Sequence, residues 1–224
     1  MSYIVYKDSI PTPIFFIHIP KTAGGSILDI LMNNFSYDII TNNRTVYKNY
    51  HSTLNDVDQF VCPLSPPYIF TIVRNPWNRA ISWFWFRKEV LRRGLGAIRA
   101  GKKLEKVVFD YDLLYNEYMI MGEGFEKWLF KYYDQPWDHT WFKLSTNQNE
   151  WIKSKNYKVD KIIKFENLQQ EFNEIKYFSN FKLPNKNEGI IKDKELYKTF
   201  YSDTTRNFIK KLYEEDIDTF KYVF

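Results

Sequence analysis

The pattern of apolar and polar positions predicts strands and helices that alternate along the chain. Continuous apolar runs at 13–19 and 68–73 are typical of strands that are covered on both faces, and KIIKF at 161–165 is a third predicted strand. Helical patterns follow them at 25–34, 75–93, 166–178 and 204–216, and one more lies at 124–133 within the mixed segment 107–150. This alternation favours an α/β fold in which helices flank a parallel β-sheet. We find no repeat, linker or boundary, so we predict one domain over residues 1–224.

The turn after the first predicted strand has the character of an anion-binding loop. The sequence HIPKTAGGSI, residues 18–27, runs from the strand through Lys21 and two glycines into a helix. A helix start offers N–H groups without partners, and small residues let an anion approach the backbone. The loop departs from the ATPase form G-x-x-x-x-G-K-[ST], because Lys21 precedes the glycines. We therefore expect Lys21 to reach the anion from the entrance of the loop.

A second cationic motif, VRNPWNRAIS at 73–82, follows the second predicted strand. Asn75 is the predicted N-cap of the next helix, which should run from Pro76 to a stop at Gly94. Arg74 lies at the carboxyl end of the strand and Ser82 lies two turns into the helix. Carboxyl ends of parallel strands bind ligands in such folds, so Arg74 and Ser82 can close on one anion.

Together these motifs resemble those of sulfotransferases that use 3′-phosphoadenosine-5′-phosphosulfate (PAPS), most closely the carbohydrate, or family 2-like, branch. The resemblance continues through KFENL at 164–168 and through the ending YEEDIDTFKYVF at 213–224. That ending is similar to a family pattern of Asp, two or three residues, Phe, one residue and Tyr. The resemblance thus covers nearly the whole chain and implies a P-loop-like sulfotransferase fold.

The resemblance also implies a role for each motif residue. Lys21 would contact the leaving phosphate and the transferring sulfuryl group, while Arg74 and Ser82 would hold the 3′-phosphate. Backbone N–H groups of the loop, with the Thr22 and Ser26 hydroxyls, would hold the 5′-phosphate. Relatives often carry Thr where this chain has Gly25, and backbone donors would replace that hydroxyl contact. The predicted PAPS-binding residues are Lys21, Thr22, Ala23, Gly24, Gly25, Ser26, Arg74 and Ser82.

Sulfuryl transfer to a hydroxyl group needs a base, and histidine suits that role near neutral pH. His51 lies between the two motifs, where the resemblance suggests a catalytic histidine, and it is our predicted base. His139, among aromatic residues, is the alternative, and His18 on the first strand is expected to be structural. Glu166 is expected to cap its own helix. With no H-x-x-x-H, C-x-x-C or paired Asp near either motif, we predict that no metal takes part.

The net charge of +5 is concentrated in residues 87–106, where eight Lys or Arg face only Glu89 and Glu105. This basic run is either a solvated helix end and loop or a surface for an anionic partner. We expect the acceptor to be a glycan or glycolipid, and an anionic one would suit the run. Nucleic acid is not expected, because the aromatic residues of SWFWF, 82–86, form a core-like cluster instead of lying among the basic residues.

The sequence further indicates a cytoplasmic protein. Its single cysteine, Cys62, fits a reducing compartment, and its N-terminus lacks the pattern of a signal peptide. No apolar run approaches the ~18 residues that span a membrane. Two other functions remain open, a nucleotide-dependent kinase of P-loop type and a non-catalytic module that binds polyanions. The kinase is disfavoured by the position of Lys21 and by the lack of a magnesium-binding Asp after a strand.

Overall fold

The computed structural model describes residues 2–6, 12–40, 53–57, 67–99, 111–133, 145–184 and 195–224. Its strands are β1 (Ser2–Tyr6), β2 (Ile14–Ile17), β3 (Ser36–Ile40), β4 (Tyr68–Val73) and β5 (Lys161–Lys164). Its α-helices are α1 (Gly24–Asn34), α2 (Leu54–Val57), α3 (Pro76–Arg99), α4 (Tyr111–Gly122), α5 (Phe125–Tyr132), α6 (Asn149–Ile152), α7 (Leu168–Asn173), α8 (Asp203–Leu212) and α9 (Glu214–Phe220). The predicted α/β class is confirmed.

The five strands form one sheet in the order β3-β1-β2-β4-β5. The three predicted strands, β2, β4 and β5, are parallel neighbours, with Ile17 opposite Thr71 and Val73 opposite Lys164. Strands β1 and β3 extend this parallel part in antiparallel pairing and were not predicted. Their sequences, SYIVY and SYDII, mix polar and apolar residues and lack the long apolar run that marks β2 and β4. The sheet is therefore mixed rather than wholly parallel.

Helix starts were predicted better than helix ends. Helix α3 begins at Pro76 as expected, but it continues past Gly94 to Arg99. Glycine within a helix costs only about 1 kcal/mol, and the buried Leu91 and Leu95 on either side give apolar burial against that cost. The predicted helix at 204–216 is divided at Tyr213 into α8 and α9. The predicted helix at 166–178 becomes α7 between two short 3₁₀ turns.

Contacts between residues divide the chain into two compact units. The first unit holds the sheet and comprises residues 1–75, 146–188 and 213–223, while the second comprises 76–145, 189–212 and Phe224. That the two units together act as a single domain stays a prediction. In the first unit, α1 and the segment that contains α7 contribute to an apolar core with β2, β4 and β5. This core contains Ile14, Phe16, Ile27, Ile30, Leu31, Phe35, Phe70, Ile72, Ile163, Phe172, Ile175 and Phe178.

The second unit is helical and rich in aromatic contacts, such as that between Phe84 and Trp128, with ring centroids 5.4 Å apart. It also buries an ion pair, in which the Arg87 guanidinium lies 2.7 Å from the Glu117 carboxylate. The Trp128 indole N–H donates to the same carboxylate at 3.1 Å. No helix among the described residues is long and apolar enough to cross a membrane.

The described part of the basic run, 87–99, is partly neutralised by its own neighbours. Arg87 is buried in the ion pair with Glu117, and Glu89 pairs with both Arg92 and Arg93 at 2.7 and 2.6 Å. The amine of Lys88 lies over the Trp85 ring, 5.4 Å from its centroid. These contacts favour the solvated helix for this part of the run, since each of its four described cationic side chains, Arg87, Lys88, Arg92 and Arg93, has a partner within the same unit.

Candidate functional site

The predicted site residues of the first unit lie where the parallel strands end. Strand β2 ends at Ile17 and leads into the loop that contains Lys21, while β4 ends at Val73 and is followed by Arg74. Strand β5 ends at Lys164 and is followed by Phe165 and Glu166. Because these strands are parallel neighbours, the three segments emerge at one edge of the sheet, which is where α/β folds bind ligands.

The loop after β2 holds two non-glycine residues in the left-handed region of backbone space. Lys21 has a φ of 69° and Ala23 a φ of 70°, with Thr22 between them outside that region. Each such residue costs about 1–3 kcal/mol, so a loop with two of them is under strain that packing elsewhere must offset. Left-handed residues that alternate with right-handed ones turn successive N–H groups toward one concavity, an anion-binding nest, and we expect this loop to form one.

The first turn of α1 completes this concavity. The N–H groups of Ser26 and Ile27 donate to the Ala23 carbonyl at 3.0 and 3.4 Å, so the helix begins directly after the strained loop. The N–H groups of Gly24 and Gly25 precede any intrahelical acceptor, as at every helix start. They also carry the partial positive charge of the helix N-terminus. The exposed Gly25 opens this end to solvent.

Gly24 is required because the imidazole ring of His18 packs against its backbone. A Cβ atom on Gly24 would lie 1.8 Å from His18 Nε2 and 2.0 Å from Cδ2. At these distances the atoms would overlap, so the ring leaves no space for a side chain at this position. On its other side the His18 ring stacks on Phe16, with centroids 5.9 Å apart and planes at 21°. His18 is therefore a packing residue that holds the helix start close to the strand, in accord with the structural role expected for it.

The hydroxyl of Thr22 is engaged inside the loop. Thr22 is fully buried, and its Oγ1 donates to the Ile19 carbonyl at 2.8 Å. Ser26 is also buried, with 6% of its surface exposed. The Thr22 side chain thus shapes the loop, because its hydroxyl proton is engaged by a backbone carbonyl of the same segment. What remains for an anion at Thr22 is the backbone N–H group.

Lys21 and Arg74 form a pair of cations that the fold holds together. The Arg74 guanidinium donates through Nη1 to the Lys21 carbonyl at 3.1 Å and lies over the Phe165 ring, 4.1 Å from its centroid. Burial and, to a smaller extent, the nearby Arg74 charge together lower the pKa of the Lys21 amine to about 7. Two neighbouring cations at the edge of a sheet are a site for a multiply charged anion.

The backbone around Arg74 is fixed by side chains that the sequence interpretation missed. The Gln148 amide accepts from the Arg74 N–H and donates to the Arg74 carbonyl, both at 2.8 Å. Glu166, expected to cap its own helix, accepts the Asn75 N–H at 2.8 Å and the Tyr222 hydroxyl at 3.3 Å. The family-like motifs around Glu166 and Tyr222 were the only signals that could have found this network.

Three predicted site residues stay predictions. Ser82 lies half-buried on α3, in the second unit, so its proposed closure with Arg74 on one anion stays a prediction. His51 and His139 lie outside the described residues. Within the ranges that the structure describes, no group of three or more His, Cys, Asp or Glu side chains could hold a metal ion.

Comparison with protein families gives one match, in which the model of the sulfotransferase family covers residues 10–223. The chain therefore belongs to the sulfotransferase family and is a sulfotransferase, as the two motifs indicated. Members of this family generally take the sulfuryl group from PAPS and pass it to a hydroxyl-bearing acceptor. The match spans both compact units. No curated protein matches the chain, and no solved structure does.

Replacing Gly24 tests whether the packing of His18 sets the helix start. We expect Gly24→Ala to lower the free energy of unfolding by about 1–3 kcal/mol, the usual cost of overpacking. Gly25→Ala is the matched control, because Gly25 is exposed and adopts no positive φ, so it should be neutral or stabilising. The double variant His18→Ala/Gly24→Ala should recover part of the loss. Chemical denaturation measures all of these, and equal stability of the two single variants would contradict the packing explanation.

The lowered pKa of Lys21 makes the stability of the ligand-free protein depend on pH. Between about pH 7 and 10.5 the unfolded chain keeps a proton on Lys21 that the folded chain releases, so stability rises with pH. Below pH 7 the folded protein carries the buried cation at its full cost. Lys21→Met should therefore stabilise the protein more at pH 6 than at pH 9, with a difference of about 1–3 kcal/mol.

Denaturant titrations at the two pH values measure this difference. Lys158→Met is the control, because Lys158 is exposed and lacks the burial that acts on Lys21. Its effect should be small and similar at both pH values. A Lys21→Met effect that does not change between pH 6 and pH 9 would show that the amine is not held in a buried, cationic environment.

Proposed function

We propose that this protein transfers the sulfuryl group of PAPS to a hydroxyl group of a carbohydrate acceptor. The observation that carries the proposal is the pair of cationic residues, Lys21 and Arg74, at the edge of the sheet, where the Arg74 guanidinium donates to the Lys21 backbone carbonyl at 3.1 Å. One cation begins a strained loop that opens onto a helix N-terminus, and the other follows the neighbouring parallel strand. Two linked anion sites of this kind suit a nucleotide with phosphate groups at both its 5′ and 3′ positions.

The loop residues would hold the 5′ end of the donor. The backbone N–H groups from Thr22 to Ser26 suit a phosphate group, because the left-handed Lys21 and Ala23 turn them toward one concavity. The helix N-terminus adds partial positive charge at the same place. Gly24 keeps the helix start against His18, so no side chain projects from this position. The buried Ser26 would add a hydroxyl contact, whereas the Thr22 hydroxyl supports the loop.

Arg74 would hold the 3′-phosphate, together with Ser82 from α3. The Arg74 side chain is oriented by Phe165 beneath it and by the Lys21 carbonyl, so little conformational freedom remains to be lost on binding. Charge-assisted hydrogen bonds to a phosphate group are about twice as strong as neutral ones. The PAPS donor supplies a sulfuryl group that moves to the acceptor oxygen while the 5′-phosphate leaves.

Lys21 would neutralise the charge that grows on the leaving phosphate, which requires its protonated form. With a pKa of about 7 in the ligand-free protein, the Lys21 amine is partly neutral at physiological pH. An anion beside it favours the charged form and raises the pKa, so donor binding would take up a proton. Affinity for the donor should therefore fall as the pH rises above 7. This preorganised charge is the main source of rate acceleration that we assign to the chain.

His51 remains our proposed base for the acceptor hydroxyl, with His139 as the alternative. The acceptor is proposed to be a glycan or glycolipid, and the reaction is proposed to need no metal and to occur in the cytoplasm. The partly paired basic run gives limited support to an anionic acceptor.

The affinity for two nucleotides tests the proposed function. 3′-Phosphoadenosine-5′-phosphate (PAP), the product of the donor, differs from AMP only by its 3′-phosphate. We expect PAP to bind at least ten times more tightly than AMP in the absence of magnesium, because Arg74 contributes charge-assisted hydrogen bonds of ~1.5–3 kcal/mol. Arg74→Ala should reduce this ratio and leave the fold intact. Calorimetry measures both affinities.

The alternatives give different results in the same experiment. A kinase of P-loop type would prefer ATP with magnesium, and a polyanion-binding module would bind both nucleotides weakly and alike. Equal affinity for PAP and AMP in the wild-type protein would overturn the proposed role of Arg74.

The proposed base is tested by separating turnover from nucleotide binding. His51→Ala should lower single-turnover sulfuryl transfer by about 100-fold or more, the usual scale for loss of a general base. The affinity for PAP should change little, because no nucleotide contact is assigned to this side chain. His139→Ala is the paired variant. If it abolishes turnover while His51→Ala does not, the base has been assigned to the wrong histidine.

A further inference from the structure

Arg74, the first residue after β4, lies beyond the strand pairing, so its backbone N–H and carbonyl groups need other hydrogen-bond partners. The parallel pairing of β4 with β5 extends to Val73 and Lys164. Arg74 follows, and its N–H and carbonyl groups are both taken by the side-chain amide of Gln148 at 2.8 Å. A primary amide offers one acceptor and two donors, so Gln148 replaces a peptide group of a neighbouring strand. It thereby fixes the position from which the Arg74 side chain departs.

Gln148 is itself held by a buried carboxylate. Gln148 and Asp216 are both fully buried, and Asp216 accepts the Gln148 backbone N–H at 2.7 Å and its side-chain amide at 3.2 Å. The other Asp216 oxygen accepts the Asn149 N–H at 2.9 Å. A buried charge is tolerated when several donors surround it, and here those donors are the groups that set the orientation of Gln148.

Asp216 belongs to residues 213–224, the segment that is similar to the family pattern of Asp, Phe and Tyr. In this ending, Asp216 is followed after three residues by Phe220 and then, after one more, by Tyr222. Tyr222 also reaches the same edge, because its hydroxyl donates to Glu166 and Glu166 accepts the Asn75 N–H. Residues 213–224 are therefore connected to both residues that follow β4. Asp216 is linked to Arg74 through Gln148, and Tyr222 is linked to Asn75 through Glu166.

We propose that Gln148 is a positioning residue for the 3′-phosphate site, acting through the backbone of Arg74 and fixed in place by Asp216. The proposal rests on the proposed function, since it assumes that Arg74 binds the 3′-phosphate. Gln148 touches no ligand in this scheme. It holds the Arg74 backbone so that the guanidinium reaches the Lys21 carbonyl and lies over Phe165. Loss of the amide would lower affinity only for ligands that carry a 3′-phosphate.

The test compares affinities for PAP and AMP in Gln148→Met, which keeps the length of the side chain and removes its amide. We expect the ratio of the two affinities to fall at least tenfold, with AMP affinity nearly unchanged. Gln148→Asn, which keeps an amide on a shorter side chain, should show a smaller fall and serves if Gln148→Met does not fold. In an Arg74→Ala background, Gln148→Met should have little further effect on PAP affinity, a coupling that general destabilisation would not produce.

Asn173→Leu is the matched control. The Asn173 amide also ties down backbone in the first unit, because it donates to the carbonyls of Phe178, Ser179 and Phe181. Its loss should lower stability and leave the PAP-to-AMP ratio unchanged. An equal fall of the ratio in this control would overturn the inference, as would a Gln148→Met protein that keeps the wild-type ratio. A wild-type protein that binds PAP and AMP alike would instead overturn the proposed function and this inference with it.

Discussion

Two positive charges held side by side are the constraint on which the rest of this site depends. Lys21 and Arg74 follow neighbouring parallel strands, and burial lowers the pKa of the Lys21 amine to about 7. Such an arrangement is unfavourable in the ligand-free protein, so packing elsewhere must offset it. The apolar core around β2 and β4, the packing of His18 against Gly24 and the amide of Gln148 each hold one part of it. This unfavourable electrostatic free energy is relieved when an anion binds between the cations, and the relief favours binding.

The parallel strands and the two motifs could be predicted because their signals are local. Buried strands such as 68–73 are continuous apolar runs. The loop at Lys21 and the start of α3 at Pro76 are each indicated by a few neighbouring residues. The family-like order of these motifs then gave a function that the family match supports. Local signals are reliable where the physical cause lies within one turn of chain.

Long-range contacts could not be predicted in the same way. Gln148 and Asp216 are ordinary polar residues in sequence, and their roles arise from partners 74 and 68 residues away. The clash that forbids a side chain at Gly24 depends on the ring position of His18, which no spacing rule gives. The Thr22 hydroxyl, expected on the 5′-phosphate, turns to Ile19 because the strained loop brings that carbonyl within 2.8 Å. Strands β1 and β3 pair at the edge without a strong apolar pattern.

A crystal structure of the protein with PAP would test the central claim most directly. The quantities to measure are the distances from the 3′-phosphate oxygens to the Arg74 guanidinium and from the 5′-phosphate oxygens to the loop N–H groups. We expect both sets within 2.7–3.2 Å, the range of N–H···O hydrogen bonds, with the Lys21 amine beside the 5′-phosphate. A nucleotide bound away from the carboxyl edge of β2 and β4, or with its 3′-phosphate distant from Arg74, would contradict this assignment.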